Sequence, residues 1–245
     1  MTPPGALLLS SSRVLGGEML EYALGAIQEF LGTRERLVVV PFAGRDHDDY
    51  LEGITIALAP LSLSITGVHR AADPVAALDE AEAVYVPGGN TFRLLRALEQ
   101  RGLLEAIRAG VSRGSLVYLG ASAGANLACP TIRTTNDMPI VEPRSLAALG
   151  LVPFQINPHY VDADPGSMHM GETREQRIHE FLDENDVPVL GLREGAWVER
   201  QGNAARLGGK PGAMLFKRDA DPRPLEPGTD LSWLLTEPYH PSRRE

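Results

Sequence analysis

The sequence is poor in cysteine and has no long apolar run. Its single cysteine, Cys129, excludes an intrachain disulfide, which is typical of proteins in a reducing compartment. Cys129 lies in an apolar run, so we expect a small buried side chain rather than a reactive thiol. No segment approaches the roughly 20 apolar residues that cross a bilayer, and Leu7–Leu9 lacks the basic residues that precede the apolar part of a signal sequence. These absences predict a cytoplasmic protein without a membrane segment.

Basic residues are outnumbered, with 23 Lys and Arg against 32 Asp and Glu and a formal net charge of -9. The sequence has no Lys/Arg cluster, and the adjacent basic pairs Lys217-Arg218 and Arg243-Arg244 lie towards the C-terminus. A nucleic-acid surface needs a concentrated positive patch, so the charge pattern argues against nucleic acid as the main partner.

Cofactor and metal motifs are missing as well. The sequence contains no G-x-G-x-x-G dinucleotide loop, no Walker sequence and no His-Glu-x-x-His pair. Its cysteine and histidines are not clustered with the spacing of metal ligands. We therefore expect neither a cofactor nor a metal.

Apolar runs and amphipathic stretches alternate through the first half of the chain. Continuous β-branched runs are typical of strands buried on both faces, and apolar residues three and four apart indicate helices. Predicted strands are Ala6–Leu9, Leu37–Pro41, Leu63–Val68, Ala83–Val86 and Leu116–Leu119, and predicted helices are Glu18–Leu31, Asp46–Leu58, a short one capped by Asp73, and Thr91–Gly110. This order predicts an α/β fold built on a doubly wound, mostly parallel sheet with helices on both faces.

The second half is less regular and mixes loops with shorter elements. Cys129–Val141 and Tyr160–Gly171 are predicted loops, and a Pro-rich tail from about residue 219 is expected to wrap the surface. Predicted strands are Phe154–Ile156, Val187–Leu192 and three short antiparallel ones at Ala196–Glu199, Ala204–Leu207 and Ala213–Lys217; Glu172–Glu184 is a predicted helix capped by Thr173. No repeat or linker divides the chain, so residues 1–245 are predicted to form one domain.

Sites in parallel α/β sheets gather at the carboxyl ends of the strands. One such end carries Gly120-Ala121-Ser122-Ala123-Gly124, directly after a predicted strand and before a helix-compatible run. G-x-S-x-G in that context predicts a sharp strand-to-helix turn that exposes Ser122 as a nucleophile. The alternative is a turn of small residues that packs a helix closely on the sheet.

A nucleophilic serine needs a base, and His159 is the histidine best placed to provide it. It follows a predicted strand, which puts it at a strand end level with Ser122. A carboxylate must orient the imidazole, and two are open: Glu194, just past the next strand, and Asp137 in the irregular loop. Sheet geometry favours Glu194, although Glu194 also fits a turn acid and Asp137 an Asx turn.

Backbone N–H groups are available at the same rim. Gly88-Gly89 follows the predicted strand Ala83–Val86, and Ala123 follows the serine at the start of a helix. The N–H groups of Gly89 and Ala123 are candidates for an oxyanion hole, in which donors stabilise the negative oxygen of a tetrahedral intermediate. The alternative is that the glycines form a tight turn that needs positive φ.

Several motifs together resemble the aspartyl dipeptidases of serine peptidase family S51, which also contains the cyanophycinases. The motifs are Val86-Pro87-Gly88-Gly89-Asn90-Thr91-Phe92, Gly120–Asn126, Thr131–Pro139, Asn157-Pro158-His159 and Gly171-Glu172-Thr173-Arg174-Glu175-Gln176-Arg177. The resemblance covers Leu7 to about Phe216. It implies a flavodoxin-like fold similar to class I glutamine amidotransferases, in which the nucleophile is cysteine rather than serine.

The resemblance also implies a reaction and its residues. It implies hydrolysis of dipeptides with an N-terminal aspartate through an acyl-enzyme, with Ser122 as nucleophile, His159 as base and either Asp137 or Glu194 behind it. Arg174 is then expected to bind the aspartyl carboxylate, because arginine binds carboxylates in a bidentate manner, and Asn90 is expected to bind substrate with it. The alternative for Arg174 is an exposed pair with Glu172, Glu175 or Glu180 on the helix surface.

Two other functions are compatible with the sequence. One is another S51-type hydrolase, such as a cyanophycinase-like enzyme that acts on a polymer or a blocked peptide. The other is a non-catalytic module of the same fold that binds a small acidic ligand. The oligomeric state is left open.

Overall fold

The computed structural model describes residues 5–163, 166 and 171–236. Within these ranges two β-sheets are flanked by helices. The strands are β1 (Gly5–Leu9), β2 (Arg36–Val39), β3 (Ser64–Gly67), β4 (Ala83–Val86), β5 (Val117–Ala121), β6 (Gln155–Tyr160), β7 (Val189–Arg193), β8 (Trp197–Gln201), β9 (Ala204–Gly208), β10 (Ala213–Phe216) and β11 (Arg223–Leu225). The α-helices are α1 (Leu24–Leu31), α2 (His47–Leu58), α3 (Pro74–Glu80), α4 (Thr91–Gln100), α5 (Leu103–Arg113), α6 (Ala123–Ala128) and α7 (Arg174–Glu184). Short 3₁₀ helices cover Glu21–Ala23, Ala59–Leu61, Val68–Arg70 and Ser232–Leu235.

The larger sheet has seven strands in the spatial order β3-β2-β4-β5-β1-β8-β9. Strands β1 to β5 run parallel, whereas β8 and β9 form an antiparallel hairpin beside β1. Successive side chains of a strand face opposite sides: Leu7 and Leu9 belong to the apolar cluster of α1 and α2, and Ala6 and Leu8 to that of α4 and α5. The predicted doubly wound, mostly parallel α/β fold is confirmed.

A second sheet of four strands has the order β11-β10-β7-β6, with β6 and β7 parallel and β10 antiparallel to β7. The strands were predicted, but the division of the antiparallel ones between two sheets was not, and β11 was missed in the tail. An alternation of period two shows which side of a strand is apolar, but not which edge the strand joins. Gly209, with φ +88°, lies so close to Gly195 that a Cβ would be 2.1 Å from its carbonyl oxygen. The chain turns there from β9, in the larger sheet, to β10, which pairs with β7 in the second sheet.

Two predicted helices have different limits in the structure. The stretch Thr91–Gly110 is two helices, because Gly102 adopts φ +69° between α4 and α5. Glu18–Leu31 becomes α-helical only from Leu24, after a 3₁₀ turn. The predicted caps are confirmed: Asp73 accepts hydrogen bonds at the start of α3, and Thr173 forms a capping box with Gln176 at the start of α7.

The largest apolar cluster is continuous across both sheets. It contains Leu8 and Val84 of the main sheet together with Leu190 and Leu215 of the second, all at least 95% buried. Cys129 lies in the same cluster with no exposed surface, and burial raises its pKa to about 12. Its predicted role as a small buried side chain is confirmed. In the described ranges no helix is long and apolar enough to cross a membrane.

Candidate active site

Ser122 lies in a sharp turn between β5 and α6. Its backbone has φ 53° and ψ -108°, and its N–H donates to the Leu9 carbonyl at 3.1 Å. A Cβ on Gly124 would lie 1.9 Å from the Val86 carbonyl oxygen, and one on Gly120 would lie 2.5 Å from that of Gly124. The glycines are therefore required by close backbone approach, as in the close-packing interpretation of the motif. The same turn presents the Ser122 hydroxyl at the rim.

His159 reaches this serine from the second sheet. Its Nε2 lies 2.9 Å from Ser122 Oγ. The residue interrupts β6, where the register with β7 shifts between Pro158 and Tyr160, and its φ is +54°. A bulge of this kind re-aims a side chain at the end of a strand, and here it directs the imidazole to Ser122.

Glu194 holds the other side of the imidazole. Its Oε1 lies 2.8 Å from His159 Nδ1, directly after β7. A carboxylate accepts, so Nδ1 carries the proton, and Nε2 is left to accept from the Ser122 hydroxyl. The turn behind Glu194 is fixed, since the N–H of Gly195 donates to the Ser10 hydroxyl at 3.1 Å. The side chains of His159 and Glu194 remain partly exposed to solvent, at 37% and 46%.

Asp137 makes different contacts from those expected of an orienting carboxylate. Its Oδ2 accepts from the backbone N–H of Thr91 at 2.8 Å and from the Thr91 hydroxyl at 2.5 Å. It also accepts from the Thr135 hydroxyl at 3.2 Å. Asp137 therefore ties its loop to the first residue of α4, and of the two predicted carboxylates it is Glu194 that contacts His159.

The glycine pair of the predicted oxyanion hole lies beside the serine. A Cβ on Gly88 would be 3.2 Å from Ser122 Cβ and 3.6 Å from its Oγ. Gly89 adopts φ +128°, and a Cβ there would be 2.7 Å from the Ala43 backbone, so the tight-turn interpretation also holds. Within the described residues the N–H groups of Gly89 and Ala123 have no hydrogen-bond acceptor. For Ala123 this follows from its place as the first residue of a helix.

Arg174 is the first residue of α7, and its guanidinium makes no hydrogen bond or ion pair with the part of the chain that the structure describes. Two of the three acids expected to compete for it lie against other groups: Glu172 accepts from Arg177 at 3.3 Å, and Glu175 lies 3.9 Å from His179. Burial lowers the pKa of Arg174, as does the charge of Arg177, whereas Asp137 opposes the shift. Arg174 is therefore a partly buried cation without an ion-pair partner among the residues that the structure describes.

Asn90, predicted to bind substrate, is largely used by the protein itself. Its Oδ1 accepts from the N–H of Arg93 at 3.0 Å and so caps α4, while its Nδ2 donates to the Met138 carbonyl at 2.9 Å. One N–H of the amide remains for a ligand.

Comparison with known proteins decides the family. The sequence model described as peptidase family S51 matches residues 6–208, which is most of the chain. The chain belongs to peptidase family S51. Among its S51-like relatives, "Peptidase E" of Streptomyces coelicolor is 58% identical over 94% of each chain. A Drosophila melanogaster protein named "Probable alpha-aspartyl dipeptidase" is 48% identical over 94% of this chain and 96% of its own.

A solved structure agrees with the fold of this S51 chain. The crystal structure of a peptidase from an acI-B1 actinobacterium has a TM-score of 0.67 and covers 94% of this chain and 97% of its own. At 15% sequence identity the likeness concerns the fold.

Two features of the S51 site were not predicted. The first is a polar seam in which Asn136 donates to the Pro158 carbonyl at 2.7 Å and Asn157 donates to Asn136 Oδ1 at 2.8 Å. The run Thr134-Thr135-Asn136 was a signal for such bonding, but its partner strand could not be known. The second is Tyr50 of α2, whose hydroxyl donates to the Gly88 carbonyl at 3.1 Å. Nothing in an amphipathic helix distinguishes that tyrosine.

Proposed function

We propose that this S51 chain is a serine dipeptidase that hydrolyses dipeptides with an N-terminal aspartate. The observation that carries the proposal is the line of hydrogen bonds from Glu194 to His159 to Ser122, at 2.8 and 2.9 Å. An activated serine on a strand-to-helix turn is the arrangement of acyl-transfer enzymes. The relatives' names, "Peptidase E" and "Probable alpha-aspartyl dipeptidase", support peptide hydrolysis and the aspartyl residue.

The reaction follows from the placement of these groups. His159 Nε2 takes the proton of the Ser122 hydroxyl as its oxygen attacks the scissile carbonyl carbon. Glu194 stabilises the imidazolium and keeps it oriented. The imidazolium then protonates the leaving amine as the C–N bond breaks. Water, deprotonated by His159, attacks the aspartyl ester, and His159 returns that proton to Ser122 Oγ as the ester bond breaks. Asp137 is assigned to the support of the loop rather than to this relay.

The negative oxygen of each tetrahedral intermediate is stabilised by the N–H groups of Gly89 and Ala123. Support comes from their lack of acceptors in the described part of the chain and from the position of Gly88, where a Cβ would lie 3.6 Å from Ser122 Oγ. One such donor is typically worth about 2.7–4 kcal/mol of the activation barrier.

Arg174 supplies the preference for aspartate. A partly buried guanidinium without an ion-pair partner in the described ranges gains a bidentate partner when an aspartyl carboxylate arrives. The remaining N–H of Asn90 is the second contact that we assign to substrate.

The chain as a whole is proposed to be one domain that works in the cytoplasm. The apolar cluster shared by both sheets supports a single domain. The single, fully buried cysteine supports a reducing compartment.

The test is the turnover of Asp-Leu, Ala-Leu and N-acetyl-Asp-Leu by the wild type, Ser122→Ala and Arg174→Ala. We expect the wild type to cleave Asp-Leu, Ser122→Ala to lose that activity with an unchanged Tm, and Arg174→Ala to show a raised KM for Asp-Leu only. Arg174→Lys is the matched control, since it keeps the charge but not the bidentate fork.

Three results would contradict the proposal. Retained activity in Ser122→Ala removes the serine mechanism. An Asp/Ala preference that is unchanged in Arg174→Ala removes the carboxylate contact. Preferred cleavage of the acetylated peptide points to the cyanophycinase-like alternative.

A further inference from the structure

Tyr50 is anchored beside the glycine pair of the candidate site. It lies in the first turn of α2, which is capped by Asp46 through a bond from the N–H of Asp49 at 3.0 Å. Its ring packs on the apolar cluster of α1 and α2, and its hydroxyl donates to the Gly88 carbonyl at 3.1 Å. Burial raises the pKa of Tyr50, with the Ser12 hydroxyl opposing the shift, so the phenol keeps the proton that it donates.

The bond to Gly88 fixes more than a carbonyl. A trans peptide unit is planar, and its C=O and N–H point in opposite directions. Because Tyr50 holds the Gly88 oxygen on one side, the N–H of Gly89 is directed to the other. Ser122 lies against Gly88, at 3.2 Å from the position of a Cβ there.

The neighbouring peptide units are tied by other groups. The N–H of Asn90 donates to the Ala43 carbonyl at 3.0 Å, and the N–H of Thr91 donates to Asp137. For the unit between Gly88 and Gly89, the Tyr50 hydroxyl is the hydrogen-bond partner found among the described residues. Two adjacent glycines leave this unit free to rotate unless something holds it.

We propose that Tyr50 is a positioning residue, whose hydroxyl sets the orientation of the Gly88–Gly89 peptide so that the Gly89 N–H faces the developing oxyanion. The inference rests on the proposed function and deepens it. Tyr50 touches neither substrate nor reacting atoms and acts through the backbone. The oxyanion exists only in the transition state and the intermediates. Loss of the Tyr50 hydroxyl should therefore lower kcat and leave KM largely unchanged.

The experiment compares Tyr50→Phe with Thr55→Val. The second variant is a matched control, because the Thr55 hydroxyl belongs to the same helix, α2, and also donates to a backbone carbonyl, that of Leu51, at 2.8 Å. The readouts are kcat and KM on Asp-Leu and the rate at which a fluorophosphonate phosphonylates Ser122, a reaction that also builds charge on an oxygen. We expect Tyr50→Phe to lower kcat and the labelling rate by about tenfold, less than the loss of a donor itself. KM should stay within about twofold, and Thr55→Val should match the wild type.

The outcomes separate this inference from the proposed function. A Tyr50→Phe enzyme with wild-type kcat, or with a raised KM alone, overturns the positioning role while leaving a serine dipeptidase in place. An equal loss in both variants also overturns it, since that marks a general packing effect; Tm of each variant identifies this case. A wild type that cleaves no dipeptide and is not labelled at Ser122 overturns both proposals.

Discussion

At the scale of single residues, the two side chains that exchange a proton in the proposed mechanism both have strained backbones. Ser122 has φ 53° and His159 has φ 54°, in a region that residues with a Cβ rarely occupy. Such conformations cost about 1–3 kcal/mol each and persist where the surroundings determine them. Here the determinants are the bond from Ser122 to Leu9 and the bulge of β6. Stability is given up so that Oγ and Nε2 meet at 2.9 Å.

The choice between the two carboxylates can be tested at this scale. We expect Glu194→Gln to lower kcat on Asp-Leu by roughly 10³-fold or more, because an amide cannot stabilise the imidazolium. Asp137→Asn keeps an acceptor for Thr91, so we expect its kcat to fall by about tenfold or less. Steady-state kinetics with Tm as a folding control measure both. A larger kcat loss in Asp137→Asn, at an unchanged Tm, would place Asp137 behind His159.

Residue-level prediction worked where the chain leaves a strand. Ser122, His159 and Glu194 each lie within three residues of the end of an apolar run. Because the ends of parallel strands converge, their meeting could be predicted. Asp137 could not be separated from Glu194, because an irregular loop has no period from which to infer its path. The Tyr50 contact was beyond reach for another reason: it depends on how far α2 leans over the loop after β4.

At the scale of elements, the decisive contact is the approach of α6 to β4. Gly124 lies in the first turn of α6, and a Cβ there would sit 1.9 Å from the Val86 oxygen. No rotamer relieves such an overlap, because both atoms belong to or adjoin the backbone. Helix α6, which carries the Ala123 N–H, can therefore pack this closely on β4 only because Gly124 has no Cβ.

The effect of that methyl group can be measured. We expect Gly124→Ala to destabilise the fold by about 1–3 kcal/mol or more and to lower kcat, since the helix must move. Gly25→Ala is the matched control, because Gly25 lies in α1 with nothing within 4 Å of its Cβ position. It should leave stability unchanged or raise it by roughly 0.5–1 kcal/mol. Urea denaturation of both variants checks this, and equal stability of Gly124→Ala and wild type would refute the steric argument.

Element limits were predictable where side chains act locally and not where glycine or a distant edge decides. Asp73 and Thr173 cap their helices through bonds to residues two or three positions away, so the sequence contains both partners. The break at Gly102 was hidden because the apolar stripe continues through it. The pairing of β10 with β7 was hidden because two open edges accept the same alternating pattern.

At the scale of the whole molecule, the candidate site joins two sheets. Ser122 follows β5 of the seven-stranded sheet, whereas His159 lies in β6 and Glu194 follows β7 of the four-stranded one. The apolar cluster that runs through both sheets fixes their relative position. Next to the site, Arg193 holds Asp162 through two bonds of 2.7 Å and ties the chain after β6 to the end of β7.

Acid should weaken this arrangement. The hydrogen bond from Arg193 holds the pKa of Asp162 below its usual value, with burial opposing, and backbone N–H groups do the same for Glu82. A folded pKa below the unfolded one gives stability that is present above the unfolded value, near 4, and is lost as pH falls through the folded value. We therefore expect Tm to fall steeply below about pH 4. Between about pH 7 and 5 it should decline only slightly, because burial and the neighbouring His69 lower the pKa of His47.

Asp162→Asn provides the check on this argument. The side chain is half exposed, so the variant should lose no more than about 1 kcal/mol at pH 6 and show a shallower acid dependence. Thermal melts of both proteins from pH 6 to 3 measure it. A wild-type Tm that rises on acidification from pH 6 to 4 would show the sign to be wrong.

The proposed oxyanion donors are backbone N–H groups, which every non-proline residue possesses, and this limits what genetics can detect. A complete library of single substitutions would mark Gly89 and Gly124 as intolerant, yet it would report the collisions of their new side chains with Ala43 and Val86. The electrostatic work of the N–H groups would leave no signature of its own. In such a map the role of the N–H groups would be detected only through a side chain that orients the main chain. Tyr50 of α2 is the position at which we expect that effect.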